Sequence, residues 1–253
     1  MCARNRGWFV LKSAVVIPTY NERENIALLI DAIVSLPLDI RVIVVDDNSP
    51  DGTGDLLDEK AVTMPALHVI HRPGKMGLGT AHIAGFKSAL GMDVECILTM
   101  DADFSHHPRY IPDLLAAAQN ADIVIGSRYV PGGGTVNCGP NRTLLSRMAN
   151  LSARTVLGLR ATDCTAGFRC YRREVLEHAP LDAIFSNGYS FLIEMLYKCQ
   201  RLGYRVAEVP IVFENRQRGS SKISKSEIIR AAYTVFRLAP SRLTIRKGAR
   251  LQA

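Results

Sequence analysis

The sequence predicts an α/β domain with a mainly parallel sheet and helices on both of its faces. Two observations support this fold class. Short apolar, β-branched runs alternate with stretches of helical periodicity, an order typical of sheets whose strands are joined by helices. Clusters of acidic and polar residues follow three of these runs, at residues 18–22, 46–47 and 101–103, and such sheets bind their ligands at the carboxyl ends of the strands.

The first half of the chain gives regular strand and helix signals. Residues 14–17 are apolar and end at Pro18, and residues 23–34 place apolar side chains at the spacing of one helix face. Residues 40–45 form a second β-branched run, which ends in the turn-forming residues 46–52. The remaining predictions for this half are strands at residues 67–70, 94–100 and 123–126 and helices at residues 79–90 and 110–119.

The second half is less regular but reads as a continuation of the same domain. We predict a mobile connection at residues 131–134, an irregular stretch at residues 163–173 and a basic loop of small residues at 216–222. Helices are predicted at residues 143–157, 189–202 and 224–238, and a strand at residues 205–213. The whole chain, residues 1–253, is therefore expected to form one domain with tails at residues 1–12 and 241–253, the second of them basic.

Composition narrows the class of protein. The net charge of +7 and a pI near 9.2 favour an anionic partner, such as a nucleotide, a lipid phosphate, a membrane surface or a nucleic acid. No apolar run reaches the roughly 18 residues that a membrane span needs. The six cysteines show no metal-binding spacing, so we expect reduced thiols in a cytoplasmic protein.

The acidic pair Asp101 and Asp103 is the most informative local feature. In an extended chain, side chains two residues apart point the same way. Two carboxylates at the end of a buried strand are costly unless a cation neutralises them, and Mg²⁺ and Mn²⁺ take such oxygen ligands together with substrate phosphates. The pair therefore predicts a divalent-metal site for a diphosphate ligand. The neighbouring His106 and His107 are interpreted as exposed loop residues rather than ligands.

Six ordered motifs resemble glycosyltransferase family 2, and more closely its dolichol-phosphate or polyprenol-phosphate mannosyltransferases. They are residues 16–25, 44–53, 100–108, 126–129, 165–169 and 219–222. The resemblance spans roughly residues 13–240. It implies a GT-A fold, the nucleotide-diphospho-sugar transferase type, with a nucleotide-sugar donor, Mg²⁺ or Mn²⁺ as cofactor and a polyprenyl-phosphate acceptor. The chain is similar to the short, soluble-type members that lack transmembrane helices.

The resemblance also implies roles for individual residues on the donor side. The base and ribose pocket would be lined by Pro18, Tyr20, Glu22, Val45 and Asp47. The metal would be held by Asp101 and Asp103, with Ser105 as a further candidate ligand and the Ala102 backbone close to the diphosphate. Where some relatives carry glutamine, Ser105 offers a shorter oxygen.

Cations and hydroxyls complete the site implied by the resemblance. Phosphate-facing cations on mobile segments would be Arg128, Arg216 and Lys222. The acceptor phosphate would meet Arg142 and Ser146. The two residues expected to be catalytic are Asp103, through the metal, and Arg128.

The expected reaction moves mannose from GDP-mannose to a polyprenyl (dolichyl-type) monophosphate. A phosphate monoester has a second pKa of about 6 and is largely dianionic at neutral pH, so it can attack the anomeric carbon without a dedicated base, in a single inverting displacement. Transfer from UDP-glucose or another sugar nucleotide is the near alternative. A nucleotidyltransferase is disfavoured because residues 18–22 replace its usual glycine-rich loop, and a non-catalytic nucleotide-binding module is the third alternative.

The lipid acceptor requires that the protein reach a membrane. We expect peripheral attachment to the cytoplasmic face, through the apolar stripe of residues 224–238 and a basic tail, or through a membrane anchor protein. The tail carries Arg242, Arg246, Lys247 and Arg250. Charges of this kind contribute about 1 kcal/mol each near anionic lipid. A nucleic acid is not an expected partner.

Overall fold

The computed structural model describes residues 11–215 and 225–248. Its strands are β1 (Ser13–Thr19), β2 (Ile40–Asp46), β3 (Leu67–His71), β4 (Cys96–Thr99), β5 (Ile123–Ser127), β6 (Gly134–Val136), β7 (Arg169–Arg172), β8 (Val206–Pro210) and β9 (Val212–Glu214). Its α-helices are α1 (Arg23–Val34), α2 (Thr53–Thr63), α3 (Leu78–Leu90), α4 (Ile111–Ala117), α5 (Pro140–Leu157), α6 (Arg173–His178), α7 (Ser190–Arg201) and α8 (Lys225–Gly248). Short 3₁₀ turns occur at Pro108–Tyr110 and Leu181–Ala183.

The central sheet has seven strands in the order β3-β2-β1-β4-β7-β5-β8. Strand β1 pairs in parallel with β2 and β4, while β7 runs antiparallel between β4 and β5. The predicted mainly parallel α/β class is therefore confirmed. Strand β7 lies inside residues 163–173, which were expected to be irregular. That expectation was wrong because the arginines at both ends of this four-residue strand hide its apolar centre.

The core forms two layers, one on each face of the sheet. Along β1, Ala14 and Val16 face one layer while Val15 and Ile17 face the other, as strand alternation requires. One layer is filled from α3, α5, α6, α7 and α8, and the other from α1 and α4. A β-carbon at Gly85 would overlap Val16, so glycine at this position lets α3 approach β1 closely.

Three local predictions for the connections were wrong. The expected strand at residues 205–213 is two strands, because Pro210 has no N–H and the Ile211 backbone bonds instead with Ser127 O (3.0 Å) and Gly134 N (3.0 Å). The chain after residue 131 is accordingly not a loose connection, since it enters β6, which pairs with β9. Helix α2 follows Gly52, whose φ is 81°, and went unpredicted because few of its side chains are apolar and buried.

Helix α8 continues to Gly248, beyond the predicted end at residue 238, with Pro240 inside it. The apolar stripe predicted there divides into two sets. Val235 and Leu238 are buried against the core, whereas Ile229 and Phe236 are 70% and 73% exposed. Within residues 11–215 and 225–248, no helix combines the length and the hydropathy needed to cross a bilayer.

Candidate functional site

The carboxyl ends of β1 and β2 bring together the residues predicted for the base and ribose pocket. Pro18 lies opposite Val45, and Thr19 lies opposite Asp46. The buried Asp46 accepts hydrogen bonds from Thr19 Oγ1 (3.0 Å), Ser49 N (3.0 Å) and Ser49 Oγ (2.5 Å). Asp46 therefore fixes the turn after β2.

Asp47 is held by a buried arginine that sequence reasoning missed. Arg72 Nε donates to Asp47 Oδ1 (2.5 Å), and the Met76 N–H donates to Asp47 Oδ2 (3.2 Å). The same guanidinium also donates to Thr80 Oγ1 (2.7 Å) and Gly77 O (3.1 Å). Asp47 thus anchors the segment between β3 and α3 beside the predicted pocket.

Tyr20 and Glu22 border the same edge of the sheet. The Lys75 ammonium lies 4.2 Å from the centre of the Tyr20 ring, a cation–π contact. Glu22 is buried and accepts from Asn25 Nδ2 (3.1 Å), while its N–H donates to Thr53 Oγ1 (3.2 Å). A positive charge over an aromatic face and a fixed carboxylate are groups suited to a nucleoside with attached phosphates.

Asp101 and Asp103 lie in the turn that follows β4. Asp103 is 6% exposed and accepts a hydrogen bond from Ser105 N (3.0 Å). The Asp101 side chain is 27% exposed, and a β-carbon at Gly167 would lie only 3.3 Å from its Oδ1. The motif at residues 165–169 therefore leaves room for this carboxylate.

His106 is buried, so the prediction of an exposed loop residue was wrong for it and right for His107. Its ring packs against Phe168 and Phe213, with centroids 5.3 and 5.5 Å away. Burial lowers the pKa of His106 despite the opposing charges of Asp101 and Asp103. The neutral ring can then accept the Asp101 N–H at Nδ1 (3.5 Å), which supports the turn from below.

The chemistry of these donors fits Mg²⁺ or Mn²⁺. In the part of the chain that the structure describes, no group of three or more histidine, cysteine or acidic residues could hold a metal by itself. Two carboxylates suit a hard cation whose remaining ligands are water and substrate phosphates. Asp101 and Asp103 are therefore suited to a metal that arrives with, or is completed by, a diphosphate.

Arg128 is fixed in place, which corrects the expectation of a mobile segment. Its Nε and Nη2 donate to the two oxygens of the fully buried Asp163, both at 2.7 Å, and Nη2 also donates to Thr165 Oγ1 (3.0 Å). Burial would raise the pKa of Asp163, but Arg128 outweighs it and holds that pKa below its usual value. Burial likewise opposes the charge of Arg128, yet Asp163 raises its pKa. Asp163 was missed because it lies 35 residues away in the sequence.

The predicted acceptor residues lie on the first turns of α5, close to Arg128 along a chain of hydrogen bonds. Tyr129 donates its O–H to Ser146 Oγ (2.8 Å). Asn150, one turn later, donates to Thr165 Oγ1 (3.1 Å), which also receives Arg128. Arg142 Nη1 donates to Asn215 Oδ1 (2.6 Å).

Arg216 and Lys222 lie outside the described residues. The segment that leads to them is ordered against the metal turn, because Glu214 N donates to Ser105 O (3.2 Å) and Asn215 N donates to Val136 O (3.0 Å).

Comparison with known proteins adds a family to this geometry. Residues 14–179 match the family described as Glycosyl transferase family 2. The chain is 45% identical over 227 residues to the undecaprenyl-phosphate mannosyltransferase of Micrococcus luteus, covering 90% of this chain and 93% of that protein. It is 46% identical over 226 residues to the polyprenol monophosphomannose synthase of Mycolicibacterium smegmatis, covering 88% and 85% of the two chains.

A solved structure shows the same architecture at low identity. The glucosyl-3-phosphoglycerate synthase of Mycobacterium tuberculosis, in complex with Mn²⁺, UDP and phosphoglyceric acid, has a TM-score of 0.64 and 22% identity. The similarity covers 92% of this chain and 78% of that one. The GT-A fold expected from the sequence motifs is thereby confirmed.

Proposed function

We propose that this chain, which belongs to glycosyl transferase family 2, transfers mannose from GDP-mannose to the phosphate of a polyprenyl (dolichyl-type) monophosphate, with inversion. The names of two relatives that are nearly half identical over most of their lengths support the sugar and the acceptor. The observation that carries the proposal is one edge of the sheet with two chemistries. A pair of carboxylates, Asp101 and Asp103, stands there beside an arginine and hydroxyl cluster that includes Arg128 and Ser146.

The acceptor supplies its own nucleophile. Its phosphate is largely dianionic at neutral pH because the second pKa of a monoester is about 6. One of its oxygens forms the bond to the anomeric carbon while the bond to the diphosphate oxygen breaks, and the electron pair leaves with GDP. No side chain has to remove a proton, so the protein's task is to orient two anions and to stabilise the leaving charge.

The two arginines of the cluster are suited to different tasks. The charge of Arg128 is balanced by Asp163, so this residue supplies fixed N–H groups with little net charge. Arg142 bonds to the neutral amide of Asn215, and its positive charge is the better match for a dianionic acceptor. Mg²⁺ or Mn²⁺ held by Asp101 and Asp103 would neutralise charge on the leaving diphosphate.

Exposed apolar side chains on α5 and α8 support peripheral attachment to a membrane. The residues concerned are Leu144, Leu145, Met148 and Leu151 on α5 and Ile229, Tyr233 and Phe236 on α8, exposed by 41% to 73%. The two helices pack against each other. Contiguous apolar surface is uncommon on a protein that meets only water, and an enzyme acting on a lipid phosphate has to meet the bilayer where that lipid lies.

A sugar-nucleotide screen tests the proposal. The protein is incubated with a short polyprenyl phosphate, Mg²⁺ or Mn²⁺, and radiolabelled GDP-mannose or UDP-glucose, each with and without excess chelator. Metal-dependent passage of label from GDP-mannose into the organic phase is the expected result. Preferential transfer from UDP-glucose would replace the donor, and nucleotide binding without transfer would favour a non-catalytic module. Release of pyrophosphate would indicate a nucleotidyltransferase.

A further inference from the structure

A cavity of about 570 Å³ opens between α5 and the turn at residues 130–133. Three arginines line it, namely Arg128, Arg147 and Arg154, together with the polar side chains of Asn150 and Thr162. We call it the arginine cavity. Its lining includes none of the carboxylates of the metal turn and neither of the predicted acceptor residues on α5.

The arginine cavity carries an excess of positive charge. Asp163 balances Arg128, but among the ion pairs of the described residues no carboxylate pairs with Arg147 or Arg154. Arg154 Nε is buried without a hydrogen-bond partner, which is costly for a charged donor. The Arg147 guanidinium lies 5.7 Å from the centre of the Tyr129 ring, which orients it. An anion between Arg147 and Arg154 would supply the missing acceptor.

The edge of the arginine cavity is apolar. Leu151 lines it and is 60% exposed. Leu144 and Met148, each 60% exposed, lie seven and three residues earlier in the same helix, so all three share one side of α5. A ligand that joins an anionic head to an apolar chain matches both parts, with the head between the arginines and the chain along α5.

We propose that the arginine cavity binds the phosphate of an anionic phospholipid headgroup, at a site separate from the transfer site. Guanidinium groups match phosphate oxygens in pairs, and the adjoining apolar side of α5 favours a lipid over a free phosphate. The proposal rests on the proposed function in one respect, the presence of the enzyme at a membrane. Because Arg142 and Ser146 start the same helix, a headgroup bound here would hold the acceptor-binding turns at the bilayer surface.

Vesicle binding tests the site directly. The full chain and the variant Arg147→Gln/Arg154→Gln are sedimented with vesicles of phosphatidylglycerol and phosphatidylcholine, and with vesicles of phosphatidylcholine alone. The control is Arg160→Gln/Arg201→Gln, which removes the same charge at two exposed positions outside the cavity. We expect the cavity variant to bind the anionic vesicles at least about tenfold more weakly, from roughly 1 kcal/mol per charge, and the control to lose much less. Equal losses in the two variants would overturn a specific site.

Three further measurements close the remaining routes. The variant Arg147→Lys/Arg154→Lys keeps the charge and loses the paired geometry, so it should bind more weakly than wild type even if the glutamine variant fails to fold. Binding of inorganic phosphate at the cavity as tight as that of the vesicles would assign it to free phosphate and overturn the lipid assignment. In detergent with a short acceptor, the cavity variant should keep the wild-type kcat; a lower kcat would place the arginines in the transfer site, whereas failure of wild type to transfer would count against the proposed function alone.

Discussion

The two sides of this molecule treat their polar and apolar groups in opposite ways. At the ends of β1 and β2 the buried carboxylates of Asp46, Asp47 and Glu22 each accept hydrogen bonds from neighbouring residues. On the outer side of α5 and α8, large apolar side chains such as Met148 and Phe236 face solvent. The first arrangement is preorganised for a polar, charged ligand. The second becomes favourable when an apolar phase covers it.

This difference assigns the two substrates to different sides of the same helix-and-sheet framework. A nucleotide sugar arrives from water and is recognised by groups fixed in advance, whereas a lipid phosphate stays in its bilayer and has to be approached. The hydrogen bonds through Tyr129, Ser146 and Thr165 lie where the two sides meet. Substitutions on the anchored side should therefore affect chemistry or stability, and those on the apolar side should affect membrane binding.

The largest effect is expected at the metal turn. Asp103→Asn should lower kcat about a thousandfold, or ~4 kcal/mol, because it removes one charge from the metal-binding pair. The fold should persist, since the amide oxygen can still accept the Ser105 N–H. The measurement is turnover with GDP-mannose at saturating Mg²⁺ beside a thermal melt. Asp113→Asn, at an exposed acid on α4, is the control, and turnover by Asp103→Asn close to that of the control would refute metal dependence.

The next effect concerns stability on the anchored side. Arg72→Met leaves Asp47 buried without its cation and should lower the free energy of unfolding by about 3–5 kcal/mol. The double variant Asp47→Asn/Arg72→Met should recover part of this loss, because no unpaired charge remains. Urea denaturation measures both. Lys87→Met is the control, since its ion pair with Asp182 is largely exposed and should contribute no more than about 1 kcal/mol. A similar small loss for Arg72→Met would show that the anchor is not important.

His82 is an exception on the anchored side, because neither ring nitrogen has a hydrogen-bond partner among the described residues. The ring stacks on Phe191 (5.4 Å between centroids), and burial, aided by the charge of Arg169, lowers its pKa from 6.5 to about 3. Since the unfolded chain takes up the proton first, stability is fully present above pH 6.5 and falls as the pH drops toward 3. Between pH 6.5 and pH 5 the loss should be about 2 kcal/mol, at 1.36 kcal/mol per unit.

Urea denaturation of wild type and His82→Leu at both pH values tests this. The variant should lack that part of the acid dependence, because leucine does not titrate. Equal acid dependence in both proteins would assign the effect to other groups.

The same contrast explains what the sequence predicts and what it does not. Strands β1, β2 and β5 and the turn at Asp101 follow from local periodicity and from acidic residues placed at strand ends. The pairs Asp47–Arg72 and Arg128–Asp163 join residues 25 and 35 positions apart, and no local spacing records which partner a charge will find. The burial of His106 depends likewise on Phe168 and Phe213, which arrive from distant strands.

The smallest effect on stability, and the sharpest test of the apolar side, compares two adjacent residues of α8. Phe236 is 73% exposed and Val235 is 7% exposed. Phe236→Ser should change the free energy of unfolding by no more than about 0.5 kcal/mol, as is usual for surface positions, whereas Val235→Ser should cost about 2 kcal/mol by burying a hydroxyl and losing packing. Flotation with anionic vesicles should show the reverse order, because only Phe236 can enter a bilayer. Its loss should weaken binding by about 1 kcal/mol, or roughly fivefold, for partial burial of an aromatic ring. Unchanged flotation of Phe236→Ser would mean that a protein, rather than lipid, covers this side of the helix.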